Sequence, residues 1–135
     1  MLELLTWSDA LSVGNDRIDR QHKALISLCN KAARFDKAGI PSANEEFHSV
    51  LNDLAVLADL HFIAEEELLE INHSPFLVEH RADHETSRER LTELLVKGTT
   101  GHLDVDGMIQ LVSRWVSHHK PNMDMRDSAY MKEPC

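Results

Sequence analysis

Two short stretches carry most of the chemistry this sequence is equipped for: His61-Phe62-Ile63-Ala64-Glu65-Glu66 and, across a turn, His80-Arg81-Ala82-Asp83-His84. On an α-helix, residues four apart lie one above the other, so His61/Glu65 and His80/His84 each project two ligand-type side chains in one direction. Buried unpaired on an apolar face, such groups are costly. A metal ion is the partner that satisfies imidazoles and a carboxylate together.

The elements that would hold these clamps opposed show in the apolar periodicity. A first helix repeats Ile18, Leu25, Cys29 and Ala32, with His22 in the same register; Gly39 supplies its stop, and Pro41 suits the first turn of the next helix. A second helix carries Phe47, Val50, Leu54, Leu57, His61, Glu65 and Leu68 in steps of three and four, until Asn72-His73-Ser74-Pro75 breaks the pattern. A third runs Leu77, His80, His84, Ser87, Leu91 and Leu94 to a stop at Gly98. After a polar loop from Thr99 to Asp104, a fourth shows Val105, Met108, Val112, Trp115 and His119, and Pro121 is expected to end it. No strand pattern competes. The expected fold is all-α, an up-down-up-down antiparallel four-helix bundle. The chain reads as one domain over residues 1–135, with an irregular N-terminal arm over 1–17, whose Trp7 and Leu11 cover one end, and a loosely ordered tail over 125–135.

A single histidine on an apolar helix face is most often a hydrogen-bonded core residue. Here the count changes the reading, because the chain holds 9 histidines, and His22, His61, His80, His84 and His119 fall on the inward stripes of four helices together with Glu65. Without a metal they would form a costly buried polar cluster. A structural zinc wants about four ligands, which five imidazoles and a carboxylate exceed. Two metals bridged by two carboxylates fit better: five nitrogens and four oxygens fill roughly nine of about twelve octahedral positions, and a bridging oxo or hydroxo group fills about two more. One position stays open for a small molecule such as O₂. For the second carboxylate, Asp124 lies five residues after His119, with Asp127 and Glu66 as rivals. His48, His73, His102 and His118 read as surface residues.

Composition narrows the classes further. Lys and Arg number 14 against 23 Asp and Glu, a formal net charge of −9, which disfavours nucleic acid and anionic membranes as partners. No apolar run approaches the ~20 residues of a membrane span, and the first residues lack the basic start of a secretory signal. Two cysteines, Cys29 and Cys135, make no disulfide framework and fit a reducing compartment. A cytoplasmic protein is expected. There is no Gly-rich phosphate loop, nucleophile elbow or C-x-x-C pair. Cys29 reads as packing rather than nucleophile.

These residues together resemble the hemerythrins, in their single-domain bacterial form. The resemblance rests on Trp7, Ser12-Val13-Gly14, Ile18 to Lys23, His61 to Glu66, His80 to His84, Trp115 to His119 and Asp124, and so spans nearly the whole chain. It implies two iron ions with a bridging oxo or hydroxo group, one held by His80, His84 and His119, the other by His22 and His61, with Glu65 and Asp124 bridging. It also implies reversible O₂ binding at the less-coordinated iron, for storage, delivery or sensing, with no catalytic residue and at most a weak peroxidase-like side activity. The pocket expected for O₂ is Phe62, Leu25, Leu69, Ser87 and Trp115. O₂ is the expected ligand, an oxygen-consuming protein the expected partner, and a monomer the expected state.

Three positions depart from the family pattern near that pocket. Leu69 stands where methionine is frequent, Ser87 where an aromatic is common, and Lys120-Pro121 follow the last histidine where an aliphatic residue is usual. A wetter pocket and faster autoxidation are expected. The alternative is a di-iron redox enzyme, a peroxidase or nitric-oxide and peroxide detoxifier, at the same site; a zinc-bearing or metal-free structural bundle is the third reading.

Overall fold

The computed structural model describes residues 6–33, 43–99 and 104–133. Four long helices follow one another: α1 (Asp16–Ala33), α2 (Ala43–Ile71), α3 (Leu77–Thr99) and α4 (Val105–Arg114), the last continuing without a break into a π-helical segment, Trp115–Asp124, and a closing turn, α5 (Met125–Asp127). α1 packs on α2 and α4, and α3 packs on the same two, which closes the bundle. Among the described residues there is no strand, and no helix is long and apolar enough to cross a membrane. The all-α, up-down-up-down bundle expected from the periodicity is the fold observed.

Local chemistry explains where the helices begin and end. Asn15 caps α1: its Oδ1 accepts from Ile18 N at 3.1 Å, so the helix starts two residues before the apolar repeat and the irregular arm stops at residue 15 rather than 17. α2 ends in a Schellman turn, with Ser74 N donating to Leu69 O at 2.8 Å and His73 N to Glu70 O at 3.1 Å. His73, at φ 56, takes the left-handed position usually given to glycine. Asp104 caps α4 by accepting from Gly107 N at 2.9 Å, and a Cβ on Gly107 would stand 2.5 Å from that carboxylate. Gly98 does not end α3, which runs to Thr99. Its missing side chain instead makes room for His48, whose Cε1 would lie 2.6 Å from a Cβ there, so His48 is half-buried rather than on the open surface. The expected stop at Gly39 and start at Pro41 lie outside the described residues, as does His102.

The C-terminal stretch is packed, contrary to the loose tail expected. Met131 and Asp127 are fully buried. Asn15 Nδ2 donates to Met131 O at 2.7 Å, and Asn72 Nδ2 reaches Tyr130 O and Lys132 O, both at 2.8 Å. Two side-chain amides therefore do what a helix ladder would otherwise do for this irregular backbone. At the other end Trp7 and Leu11 pack against the core, as their apolar character implies.

The apolar core is in two pieces. The larger holds Leu25, Phe47, Leu54, Phe62, Leu91, Met108 and Trp115 among others. The smaller holds Val13, Ile18, Ala64, Leu68, Leu69 and Met131. Along α1 the step from Ile18 to Leu25 passes His22, and along α2 the step from Phe62 to Leu68 passes Glu65. On every helix the chemistry-bearing residues occupy the interval between the two clusters.

Candidate metal centre

All seven residues expected as ligands come together there. His22 (α1), His61 and Glu65 (α2), His80 and His84 (α3), and His119 and Asp124 (π segment) are each at most 1% exposed. Glu65, His80, His84, His119 and Asp124 each offer a ligand atom, all within 4.8 Å of one another, and His22, His61, Glu65 and Asp124 do the same. Glu65 and Asp124 belong to both groups. Asp124 divides its oxygens between them: Oδ1 lies 3.1 Å from His80 Nε2 and 2.9 Å from His119 Nε2, whereas Oδ2 lies 3.1 Å from His22 Nε2. Glu65 Oε2 faces His22 at 3.1 Å, and Oε1 faces His84 at 3.1 Å, His80 at 3.3 Å and His61 at 3.2 Å.

Asp124 reaches the site because the fourth helix changes its winding. In an α-helix, residues five apart point about 140° away from each other, given ~3.6 residues per turn. In the π segment the backbone bonds span five residues, as Met125 N–H to Lys120 O shows, so His119 and Asp124 share a face. Pro121 lies inside this segment and does not end the helix as expected. Its ring collides with the carbonyl four residues back in an α-helix, and a wider turn accommodates that collision.

The outward ring nitrogens are held by residues the sequence did not reveal as partners. His61 Nδ1 donates to Gln21 Oε1 at 3.0 Å, His84 Nδ1 to Glu66 Oε2 at 2.9 Å, His80 Nδ1 to Asp127 Oδ2 at 2.7 Å, and His119 Nδ1 to Asp83 Oδ2. Carboxylate or amide oxygens as acceptors place the hydrogen on Nδ1 and leave Nε2 as the inward donor atom. Glu66 and Asp127, rivals for the second bridging place, instead accept from His84 and His80 on the outer side of the cluster. A signal existed: Gln21, Glu66 and Asp83 each sit beside a site residue, and each serves a histidine on the next helix.

The cluster demands positive charge at its centre. His22 and His61 bring their Nε2 atoms to 3.0 Å, and His84 and His119 theirs to 3.2 Å, contacts that lone pairs alone cannot make. Both Asp124 oxygens are buried without a hydrogen bond, as is His22 Nδ1. Lacking metal, protons supply the charge. Burial opposes it, but the neighbouring carboxylates of Asp124 and Glu65 raise His80 to about 10 and hold His22 above its usual value. His119 is also raised, its burial outweighed by the charge of Asp124, whereas burial leaves His61 lowered. Glu65 and Asp124 stay well below the carboxylate range: burial works against them, and the surrounding imidazoles outweigh it. The donor set, nitrogen and oxygen in two groups sharing two carboxylates, fits a pair of borderline divalent or trivalent ions.

Beside the cluster lies a cavity of about 40 Å³, lined by Leu25, Cys29, Leu54, Ala58, Phe62, Ser87, Leu91, Leu111, Val112 and Trp115. The Phe62 ring stacks on His84 with centroids 4.2 Å apart, and Trp115 meets His22 edge-on at 5.8 Å. Four of the five expected pocket residues line this space. Leu69 does not: it is buried in the smaller apolar cluster on the far side of the site. Nor does Lys120 wet the cavity, since its Nζ turns to Leu11 O at 2.7 Å and Met125 Sδ at 3.4 Å. Ser87 contributes the one hydroxyl of the lining. Burial pushes the Cys29 thiol up to about 12, in keeping with a packing role. His118 and His73 are exposed, as expected.

A four-helix bundle with a buried histidine–carboxylate cluster of this kind defines a class of metal-binding proteins. The Hemerythrin HHE cation binding domain family matches residues 13–126, and the chain belongs to the hemerythrin family, whose role is O₂ binding at a non-haem di-iron centre. Bacteriohemerythrin of Stenotrophomonas maltophilia is 30% identical over 87% of this chain and 75% of its own length. Bacteriohemerythrin of Pseudomonas aeruginosa is 31% identical over 89% and 76%, and a hemerythrin-like protein of Naegleria gruberi 29% identical over 89% and 87%. A crystal structure of a hemerythrin leucine-to-alanine mutant superposes with a TM-score of 0.83 over 98% of this chain and 100% of that one, at 23% identity, a likeness of fold.

Proposed function

We propose that this protein reversibly binds O₂ at a non-haem di-iron centre, for storage, delivery or sensing, and turns over no substrate of its own. One iron falls to His80, His84 and His119, the other to His22 and His61, and Glu65 and Asp124 span both. The observation that carries this reading is the division of the Nε2 donors into groups of three and two around the same two carboxylates. It leaves the two-histidine position with fewer ligands, beside a cavity of diatomic size. Two irons with an oxo or hydroxo bridge supply the redox chemistry of O₂ uptake when bound; the chain's own residues do the rest. Gln21, Glu66, Asp83 and Asp127 fix ring orientation. Leu25, Phe62 and Trp115 keep the cavity apolar, and water, which would promote loss of an oxidised ligand, finds one hydroxyl there. A cytoplasmic monomer that passes O₂ to an oxygen-consuming protein completes the proposal.

Anaerobic reduction followed by air exposure tests it, with iron content measured alongside the visible spectrum. Two irons per chain and a charge-transfer band that disappears under argon are expected. Ser87 favours a second reading, a peroxidase or nitric-oxide-handling enzyme at the same site. Immediate conversion to the oxidised state with sustained substrate oxidation by peroxide would establish that instead.

A further inference from the structure

The cavity has a wall in common with the outside. Phe62 and Leu91 line it, and the same two residues line a groove of about 510 Å³ between α2 and α3, whose outer rim includes Ala55, Leu60 and Thr92. The phenyl ring of Phe62 is held by two groups of α3. His84 stacks on one face at 4.2 Å between centroids, and the Arg88 guanidinium lies 5.2 Å from the ring centroid. Arg88 is itself tied down, donating to Glu66 Oε2 at 3.1 Å and to Asp59 Oδ1 at 3.3 Å. Because the same Glu66 oxygen accepts from His84 Nδ1, one carboxylate secures both groups that contact the ring.

We propose that neutral diatomic gases reach the cavity through the α2–α3 groove, past the Phe62–Leu91 wall, with Arg88 as the latch that keeps Phe62 shut. The way in is apolar along the wall, and the groove carries Asp59 beside Arg88, whose charge is more than offset by its partners Asp59, Glu66 and Glu85. It therefore passes an uncharged gas and opposes an anion. Opening needs only a rotation of one aromatic ring once the guanidinium lifts, a motion of side chains rather than of helices. The proposal rests on the O₂ reading for its purpose, but not for its geometry.

The test uses the metal-free 135-residue chain carrying Trp7→Phe, which leaves Trp115, a lining residue of the cavity, as the one remaining tryptophan. Dynamic quenching of Trp115 fluorescence lifetime by dissolved O₂ then reports gas arrival with no iron involved. Ala55→Phe and, independently, Thr92→Phe fill the outer groove without touching the cavity, and each is expected to lower the bimolecular quenching constant severalfold. Arg88→Met is expected to raise it severalfold. Quenching unchanged in both groove-filling variants, with helical circular dichroism intact, overturns the route. If the quenching order holds but iron-loaded protein takes up no O₂, the route stands and the functional reading falls. If O₂ uptake is reversible while the quenching order fails, the route is overturned and the function stands.

Discussion

Each residue proposed as a ligand carries a distinct obligation, and single substitutions separate them. Glu65 faces histidines of both groups, so Glu65→Ala is expected to take the metal content from two per chain to one or none, whereas exposed His118→Ala leaves it unchanged; elemental analysis of purified protein decides both. Asp83 touches no metal position but accepts from His119 Nδ1 and pairs with Arg114. Asp83→Ala should weaken metal retention by about 10- to 100-fold, as loss of an orienting partner typically does, read by competition with a chelator. His80 gives a pH dependence. Its imidazole is raised from 6.5 to about 10 when metal is absent, the carboxylates of Asp124 and Glu65 outweighing its burial. A raised value adds stability to the metal-free fold in full below 6.5 and surrenders it as pH climbs toward 10. Metal needs the ring unprotonated at Nε2. The melting-temperature gap between loaded and metal-free protein should therefore widen as pH rises over that range, and a gap that narrows would contradict the assignment. Six members of the cluster, His22, His61, Glu65, His80, His84 and His119, were legible in the sequence because helical register puts a residue inward or outward. Their orienting partners were not, because Gln21, Glu66 and Asp83 act across helices, and register says nothing about which neighbour a half-buried residue meets.

At the scale of the element, the fourth helix holds the lesson. Apolar spacing announced it correctly as far as His119, and a proline after that point reads as a terminus. The chain instead widens its winding over Trp115–Asp124, something no apolar period encodes, since the residues involved are mostly polar. This also explains why spacing left Asp124 beside its rivals Asp127 and Glu66, and only the family resemblance settled on it. A proline in a helix interior costs about 3 kcal/mol or more, so Pro121→Ala is expected to stabilise the metal-free protein against urea while lowering metal retention, as the segment regains the freedom to wind as an α-helix and swing Asp124 away. A variant that gains stability and keeps its metal would show that the ligands, not the proline, hold the winding. Ends were less readable than middles for a related reason: the start of α1 is set by an asparagine that caps it and holds the C-terminal backbone too, a contact 116 residues apart in sequence.

For the whole molecule, the division of the core has a thermodynamic meaning. The larger and smaller apolar clusters meet across the histidine–carboxylate layer, so the contents of that layer decide whether the two halves melt together. Metal ties all four helices at that level; protons leave a network of weaker, separately breakable contacts. Calorimetry should show one all-or-none transition for the loaded protein, with calorimetric and van't Hoff enthalpies equal. For the metal-free protein it should show a broadened or split transition, the half containing Val13, Leu69 and Met131 opening first because its core is the smaller. Metal release and local opening would then be one event, and the protein's affinity for metal would also measure the cooperativity of its fold.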